Sequence, residues 1–385
     1  MMGRLKATKS NNMLKAFLLF LVSAYSFGEI EFSGHVKTFM VTQEALYEEP
    51  RTYQSQNNVR FMLDDQEANL AWELHYQINP IFMSRQLSAE QSDLIQTERR
   101  YRFGDITQII GEVNPKHFFI QNLDRLNVQL RLAKGDLTLG RQAISFGSAR
   151  VINPTDIFIP FDAIVFDQEY RVGVDAIRYQ SPLGELGEFD LGIVFGSSRN
   201  ESAAFLQLSN NYWGKDLQFT ISRFDEQNLL GAGLQTAIGQ FGFWFEIAKV
   251  YGQREYTRIS SGFDYAFSER AFGQIEYHYN GANIDKHRDR EENYKNPRLP
   301  AGIFLFGEHY LIPSFNYQLG PLWNLALQGI FNISDDSSFL SLAASYSVKA
   351  NVDANITYYR FHGDKNNSEY GLNPDMAYLG LSYYF

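Results

Sequence analysis

The last stretch of the chain, residues 377–385, alternates between two kinds of side chain with a period of two. One face of a strand would carry Ala377, Leu379, Leu381, Tyr383 and Phe385. That periodicity predicts an extended strand rather than a helix. An apolar strand at the open edge of a soluble sheet promotes aggregation, whereas a closed barrel in lipid has no edge. The stretch therefore predicts the closing strand of a transmembrane β-barrel.

The same alternation recurs along most of the chain. Residues 68–78 and 126–132 are two of the cleanest examples, with apolar side chains at every second position. Short turns such as 134–136 alternate with longer connections such as 79–116, as short periplasmic turns and long extracellular loops do. We predict an all-β, antiparallel transmembrane barrel of about 18 strands, with about 16 as the alternative. Both counts are even, which places both chain ends in the periplasm.

Composition narrows the class further. The mean hydropathy is −0.30, and no segment of the predicted mature chain approaches ~18 consecutive apolar residues, which excludes spanning helices. The absence of Cys excludes disulfides and thiol chemistry. Aromatic residues make up 15% of the chain, which favours a membrane barrel over its rival, a soluble β-sandwich or propeller. A net charge of −10 argues against nucleic-acid binding.

The first 28 residues have the pattern of a secretory signal peptide. Basic residues at 4, 6, 9 and 15 precede the short apolar run 16–22, and Ser26 and Gly28 are small residues suited to cleavage. We therefore expect residues 1–28 to be a signal peptide and residues 29–385 to form one barrel domain.

The segment from Gly140 to Arg178 is the strongest functional candidate. Residues 144–168 form the third external loop by our count, and porins fold this loop inward to narrow the barrel. Its apolar positions 157–159 and 161 are unsuited to a solvated loop and should pack on an inner wall. The predicted pore-constriction residues are Arg141, Arg150, Asp156, Asp162, Arg171 and Asp175. Opposed charges of this kind either orient hydrated solutes or tether the loop to the wall, and both roles are compatible.

One local pattern conflicts with the barrel. Counting from Leu137 and Leu139, strand parity turns Arg141 outward, where Arg costs roughly 2–4 kcal/mol at the membrane midplane. Arg178 has the same difficulty after Val174 and Ala176. Either β-bulges near Gly140 and Ile177 re-aim both residues, or both lie at a membrane interface; we favour a bulge at Gly140.

The same segment carries a family resemblance. Gly140-Arg141-Gln142, Phe146-Gly147, Asn153-Pro154-Thr155-Asp156 and Gly173-Val174-Asp175-Ala176 resemble motifs of uncharacterised porin-like outer-membrane proteins, with a distant similarity to the alginate-export barrels. The terminal Phe385 is similar to the ending typical of such barrels. The resemblance implies an outer-membrane channel of a Gram-negative bacterium, recognised by the barrel-assembly machinery through Phe385.

The expected function is passive diffusion of small hydrophilic solutes or ions. The alternatives are an exporter of an acidic polysaccharide, a plugged structural or adhesive barrel, and an outer-membrane hydrolase. We expect no enzyme activity, because no Gly-x-Ser-x-Gly motif is present. His35, His75 and His278 fall on the predicted lumen face but on separate strands, so we expect lumen lining rather than a metal site. No cofactor is expected; the expected partners are outer-membrane lipid, lipopolysaccharide and a possible second copy of the chain.

Overall fold

The computed structural model describes residues 30–45, 50–85, 101–103, 108–114, 116–158, 169–253, 255–282, 305–365, 367–371 and 373–385. The predicted signal peptide lies outside these residues. Within them, no helix is long and apolar enough to cross a membrane.

One antiparallel sheet contains the nineteen strands of the described residues. They are β1 (Glu31–Gln43), β2 (Thr52–Glu67), β3 (Leu70–Met83), β4 (Gln108–Asn114), β5 (His117–Leu132), β6 (Gly135–Gln142), β7 (Val174–Leu183), β8 (Gly187–Phe195), β9 (Ala203–Tyr212), β10 (Lys215–Phe224), β11 (Gln227–Ile238), β12 (Phe241–Tyr251), β13 (Tyr256–Ser268), β14 (Ala271–Asn280), β15 (His309–Gly320), β16 (Trp323–Asn332), β17 (Ser337–Lys349), β18 (Val352–His362) and β19 (Met376–Tyr384). Eighteen of them close into a barrel, which confirms the predicted fold class.

Strand β4 is the strand that does not belong to the eighteen-stranded barrel. It pairs with the first residues of β5, while β3 pairs with β5 along the full strand. The sequence predicted an irregular loop over 79–116, so this short strand was missed. The sequence of β4, Gln-Ile-Ile-Gly-Glu-Val-Asn, lacks strict alternation of apolar and polar residues, so periodicity did not reveal it.

The last strand closes the barrel as predicted. Strand β19 pairs with β1 in register from His35–Tyr384 to Gln43–Met376. The backbone of Phe385 exchanges hydrogen bonds of 2.9 and 3.0 Å with Gly34, and its ring packs 5.6 Å from that of Phe32. No edge is left at this seam, as a barrel in lipid requires.

The outer surface is apolar along the predicted faces. Phe32, Val36, Leu379, Leu381 and Tyr383 are exposed and outward, whereas the intervening His35 and Lys37 are buried inside. Across the interior, the periplasmic half carries polar pairs such as Gln129–Asp136 and Ser314–Gln328. The two faces of each strand therefore meet different environments, as the alternation predicted.

The extracellular half of the interior differs from the expected water-filled lumen. Two clusters of buried apolar side chains lie there, one around Phe146 and Phe205 and one around Ile152 and Tyr310. Residues of the third loop contribute to both clusters. The described part of the loop therefore packs on apolar inward-facing positions in this half of the barrel.

The bulge predicted at Gly140 is absent. Strand β6 pairs with β5 and with β7 through Gly140 without a register shift. Gly140 instead has a φ of +114°, a conformation that disfavours residues with a Cβ. Arg141 is buried because Asp175, directly opposite on β7, neutralises it.

The strand phase predicted for β7 is also wrong. Val174 and Ala176 are buried in the interior cluster, whereas Ile177 is 43% exposed on the outside. Arg178 therefore points inward and binds Asp190 at 2.6 Å without any bulge. The apolar signal that was interpreted as lipid contact comes from packing against the third loop.

Candidate functional site

The third external connection, residues 143–173, is called the inner loop below, and its described residues lie inside the barrel. Residues 143–158 and 169–173 of it are described. Its first arm lies on the inner wall formed by β10 to β14. Its second arm reaches the opposite wall, formed by β1, β2 and β5.

Glu246 on β12 anchors the first arm. Its carboxylate accepts hydrogen bonds from the backbone NH groups of Ser148 (2.5 Å), Ala149 (2.8 Å) and Thr155 (2.8 Å), and from the Thr155 hydroxyl (2.7 Å). Glu246 is fully buried, so these four donors replace its water shell. Charge-assisted hydrogen bonds of this kind are roughly twice as strong as neutral ones.

Glu276 on β14 forms the second anchor. Its carboxylate accepts hydrogen bonds from the backbone NH groups of Arg150 (3.1 Å), Val151 (3.1 Å) and Ile152 (2.8 Å). The indole NH of Trp244 donates the fourth hydrogen bond, at 2.8 Å. Successive NH groups that converge on one oxygen pair form an anion-binding concavity, here filled by a carboxylate of the wall.

Two glycines on β11 let the loop approach the wall. A Cβ on Gly231 would lie 2.3 Å from Cγ2 of Thr155, and a Cβ on Gly233 would lie 2.2 Å from Oγ of Ser148. The Ser148 hydroxyl also donates a 2.7 Å hydrogen bond to Gln218. Side chains at 231 and 233 would therefore displace the segment that Glu246 holds.

The second arm is fixed by aromatic and charged contacts. Glu169 binds the ammonium group of Lys37 and accepts a 3.0 Å hydrogen bond from the Tyr384 hydroxyl. The next residue, Tyr170, lies over the guanidinium of Arg60, with 4.1 Å from Cζ to the ring centroid. Such a cation–π contact favours a fixed position for this arm.

Asp124 organises the charges on that wall. It binds Arg60 at 2.7 Å and Arg125 at 2.8 Å, with Arg102 at 3.7 Å, and all four side chains are buried. The pairing of β3 with β5 shifts register beside it, because His75 faces Arg125 while Tyr76 faces Leu123. This bulge brings Asp124 and Arg125 together inside the barrel.

The structure separates four of the six predicted constriction residues into two groups. Arg141 and Asp175 form a buried bidentate ion pair, with Nε–Oδ1 at 2.7 Å and Nη2–Oδ2 at 2.9 Å. Arg150 and Arg171 have side chains that are 49% and 53% exposed within the barrel. The first group ties β6 to β7 and the second offers charge to water.

The exposed pair has distant carboxylate partners. Arg150 lies 3.7 Å from Asp264 on β13, and Arg171 lies 3.9 Å from Asp156 in the first arm of the loop. Separations near 4 Å with one partner in water are weak ion pairs. Asp162 lies outside the described residues, so its predicted role stays a prediction.

Sequence reasoning missed the anchoring residues. Glu246 occupies an inward position on β12, where the next inward positions, Ala248 and Val250, are apolar, whereas Glu276 on β14 is followed inward by His278 and Asn280. A lone carboxylate in such a row is a usable signal, because a buried charge needs partners. The sequence does not show that the partners are backbone NH groups far along the chain.

The three histidines lie inside the barrel as predicted. His75 hydrogen-bonds Asp64 at 2.8 Å, and Ser260 hydrogen-bonds His278 at 2.8 Å. Among the described residues, no group of three His, Asp or Glu side chains is placed to hold a metal ion.

A third buried carboxylate, that of Glu369, lies near the extracellular ends of β15 and β16. Glu369 accepts hydrogen bonds from the Tyr310 hydroxyl (2.5 Å), the Asn332 amide (2.8 Å) and the Phe306 NH (3.2 Å). Its own NH donates to Asp335 at 2.7 Å. Burial raises the pKa of Glu369 to about 7, and the charge of Asp335 adds to this effect.

Solved outer-membrane protein structures share this fold. No family model matches the chain. No curated protein matches it either. Acinetobacter baumannii OccAB4 is similar in structure with a TM-score of 0.62 at 9% identity, covering 94% of this chain and 99% of that chain.

Two Pseudomonas aeruginosa structures are also similar. OccD3 (OpdP) has a TM-score of 0.57 at 10% identity and covers 94% of this chain and 93% of its own. The outer membrane protein OprD has a TM-score of 0.56 at 10% identity and covers 94% and 96%. These likenesses define the chain as an 18-stranded β-barrel with the fold of outer-membrane porins. They do not support the predicted similarity to the alginate-export barrels.

Proposed function

We propose that this protein is an outer-membrane channel of a Gram-negative bacterium that lets small hydrophilic solutes diffuse passively. The observation that carries the proposal is the inner loop, held at both arms across the interior of a closed barrel. Buried ion pairs and carboxylate anchors fix its position, so it defines a constriction of constant shape. Porin-like structural neighbours support the same function.

We assign the charge preference of the constriction to Arg150 and Arg171. Both side chains are about half exposed and their carboxylate partners lie 3.7 and 3.9 Å away, so both present positive charge to a passing solute. Arg141 and Asp175 have the tethering role, since each buries the charge of the other. Asp156 has a part in both roles. It is itself buried, as a tethering residue is, and it faces the exposed Arg171.

The remaining proposals concern assembly. The ring of Phe385 lies on the outer surface at the barrel seam, next to Phe32 and Phe61, where a folding factor has access to it. This position supports recognition by the barrel-assembly machinery. The nature of the signal peptide and a possible homo-oligomer stay predictions, as does the absence of enzyme activity.

A plugged structural barrel is the second candidate. The apolar clusters around Phe146 and Ile152 favour it, because they take up part of the extracellular half of the interior. Planar-bilayer recordings of the refolded protein separate the two candidates. A channel shows stable open steps with a measurable ion preference. Correctly inserted protein without any open steps overturns the channel and leaves the plugged barrel.

A further inference from the structure

The outer wall of β1, β2 and β3 carries a groove near its extracellular rim. It is lined by Met40, Tyr53, Ser55, Phe82, Met83 and Ser84 and has a volume of about 540 Å³. Met40, Tyr53 and Phe82 are 56%, 57% and 42% exposed on the outward face, so the groove opens toward lipid. Its size is within the roughly 300–1,000 Å³ typical of small-ligand sites.

The shape of the groove follows from side-chain size across three strands. Ser55 on β2 lies directly between Met40 on β1 and Phe82 on β3, so a small floor separates two large walls. Asn57, the next outward residue of β2, donates hydrogen bonds to the Ser55 hydroxyl (3.1 Å) and to the carbonyl of Pro80 (3.0 Å). The Ser55 hydroxyl and the Pro80 carbonyl are therefore hydrogen-bonded, while the space above Ser55 stays open.

Cations lie at the extracellular ends of the strands that flank this groove. Arg51 directly precedes β2, Arg85 follows β3 after one residue and Lys116 directly precedes β5. Lys116 and Met83 are joined by a 2.8 Å backbone hydrogen bond, which ties one cation to the groove's edge. Glu44 lies 3.5 Å from Arg51, and both side chains of that pair are more than half exposed.

We propose that this groove binds one phosphorylated glycolipid of the outer leaflet, the lipid A part of lipopolysaccharide. An acyl chain would lie between Met40 and Phe82, and phosphate groups would meet Arg51, Arg85 and Lys116. The groove's position at the extracellular rim selects a lipid of the outer leaflet. Its cations select an anionic headgroup, because basic residues near a membrane surface attract anionic lipid. The inference rests on the proposed outer-membrane location but not on solute passage.

Native mass spectrometry of the full chain, reconstituted in phosphatidylcholine vesicles doped with lipid A and then extracted in detergent, tests the site. We expect one retained lipid A per barrel. Neutralising the cations (Arg51→Ser, Arg85→Ser, Lys116→Ser) should lower retention by roughly tenfold or more. Filling the groove with Ser55→Trp should lower it comparably. The matched control removes three exposed cations elsewhere (Arg199→Ser, Arg223→Ser, Arg360→Ser) and should retain lipid A as the wild type does.

Two further arms identify the ligand. The wild type should retain dephosphorylated lipid A only weakly, about as weakly as the triple cation variant retains lipid A. Phosphatidylglycerol should compete poorly with lipid A for the wild type. Equal retention of lipid A by the wild type and both groove variants, in barrels shown to be folded, overturns the site. Bilayer conductance of the same samples tests the channel proposal separately from the lipid A site, because the groove variants should conduct like the wild type.

Discussion

Glu246 on the barrel wall holds Thr155 of the inner loop by two hydrogen bonds, from the Thr155 NH at 2.8 Å and from its hydroxyl at 2.7 Å. The same carboxylate binds Ser148 and Ala149, so one buried side chain fixes both ends of an eight-residue stretch. The charge of Glu246 is thus satisfied by loop backbone rather than by a cation. The position of the inner loop's first arm therefore depends on two wall carboxylates, Glu246 and Glu276.

Replacing Glu246 and Glu276 by Gln should release the inner loop. An amide lacks the negative charge, and one of its two ends donates rather than accepts, so several NH groups lose their acceptor. The loss should be at least about 3 kcal/mol per anchor, since hydrogen bonds to charged groups contribute roughly 1.5–3 kcal/mol each. Hydrogen exchange over residues 148–155 should accelerate while the barrel strands stay protected.

A control for this release is Glu188→Gln on β8. Glu188 is exposed and accepts one 3.0 Å hydrogen bond from Gln180. It should leave exchange over residues 148–155 unchanged. Unchanged exchange in the Glu246 and Glu276 variants as well would show that apolar packing alone holds the loop.

Gly231→Ala should destabilise the loop through a steric conflict. The new Cβ would lie 2.3 Å from Cγ2 of Thr155, and Thr155 cannot rotate away without losing its hydroxyl bond to Glu246. Overpacking of this kind costs about 1–3 kcal/mol. Thr155→Ser removes Cγ2 but keeps the hydroxyl, so the double variant should recover most of that loss.

The measurement for this pair is a double-mutant cycle on the free energy of loop opening, obtained from hydrogen exchange. Contacting residues typically couple by about 0.5–3 kcal/mol. Gly320→Ala is the control, because no heavy atom lies within 4 Å of its added Cβ. Additive effects of Gly231→Ala and Thr155→Ser would mean that the two residues do not meet.

Alternation along the strands predicted the lipid-facing surface but not the contacts of the inner loop. The outward positions Leu379, Leu381 and Tyr383 were predicted from alternation alone, because lipid imposes the same rule on every strand. Val174 and Ala176 were misassigned, since an apolar inward position that packs on a loop looks like a lipid contact. The inner loop was found from its unusual apolar content. Its anchors could not be found, because hydrogen bonds over about a hundred residues leave no local pattern.

Docking of residues 367–371, the segment that contains Glu369, should depend on pH. Burial, reinforced by Asp335, raises the pKa of Glu369 from an ordinary value of 4.5 to about 7, although the Tyr310 hydroxyl and the Asn332 amide oppose the rise. A raised folded-state pKa means that docking of residues 367–371 is favoured most below pH 4.5 and weakens as pH rises through about 7. The full change amounts to about 3 kcal/mol, at 1.36 kcal/mol for each pKa unit.

Hydrogen exchange over residues 367–371 at pH 6 and pH 8, corrected for intrinsic rates, measures this weakening. The wild type should lose protection at the higher pH. Glu369→Gln, which cannot ionise, should show the same protection at both. A wild type whose corrected protection is equal on both sides of pH 7 would remove Glu369 as the titrating group.

Arg150 and Arg171 should set the ion preference of the channel. Their guanidinium groups are 49% and 53% exposed inside the barrel, so Arg150→Gln with Arg171→Gln removes two positive charges from the water-facing surface of the constriction. The reversal potential under a salt gradient should shift toward cations, most strongly at low ionic strength where screening is weak. Arg270→Gln, in the exposed turn between β13 and β14, should shift it little.

Arg141→Gln provides the sharper comparison, because it removes the same charge from a buried pair. Asp175 would be left without its bidentate partner, and breaking a buried ion pair costs about 3–5 kcal/mol. We expect lower stability of the β6–β7 hairpin in denaturant, with ion selectivity in the surviving channels close to that of the wild type. Arg141→Gln could instead move the reversal potential as far as the double Arg150 and Arg171 variant does. The conducting path would then run beside β6, and Arg141 rather than Arg150 and Arg171 would set the ion preference.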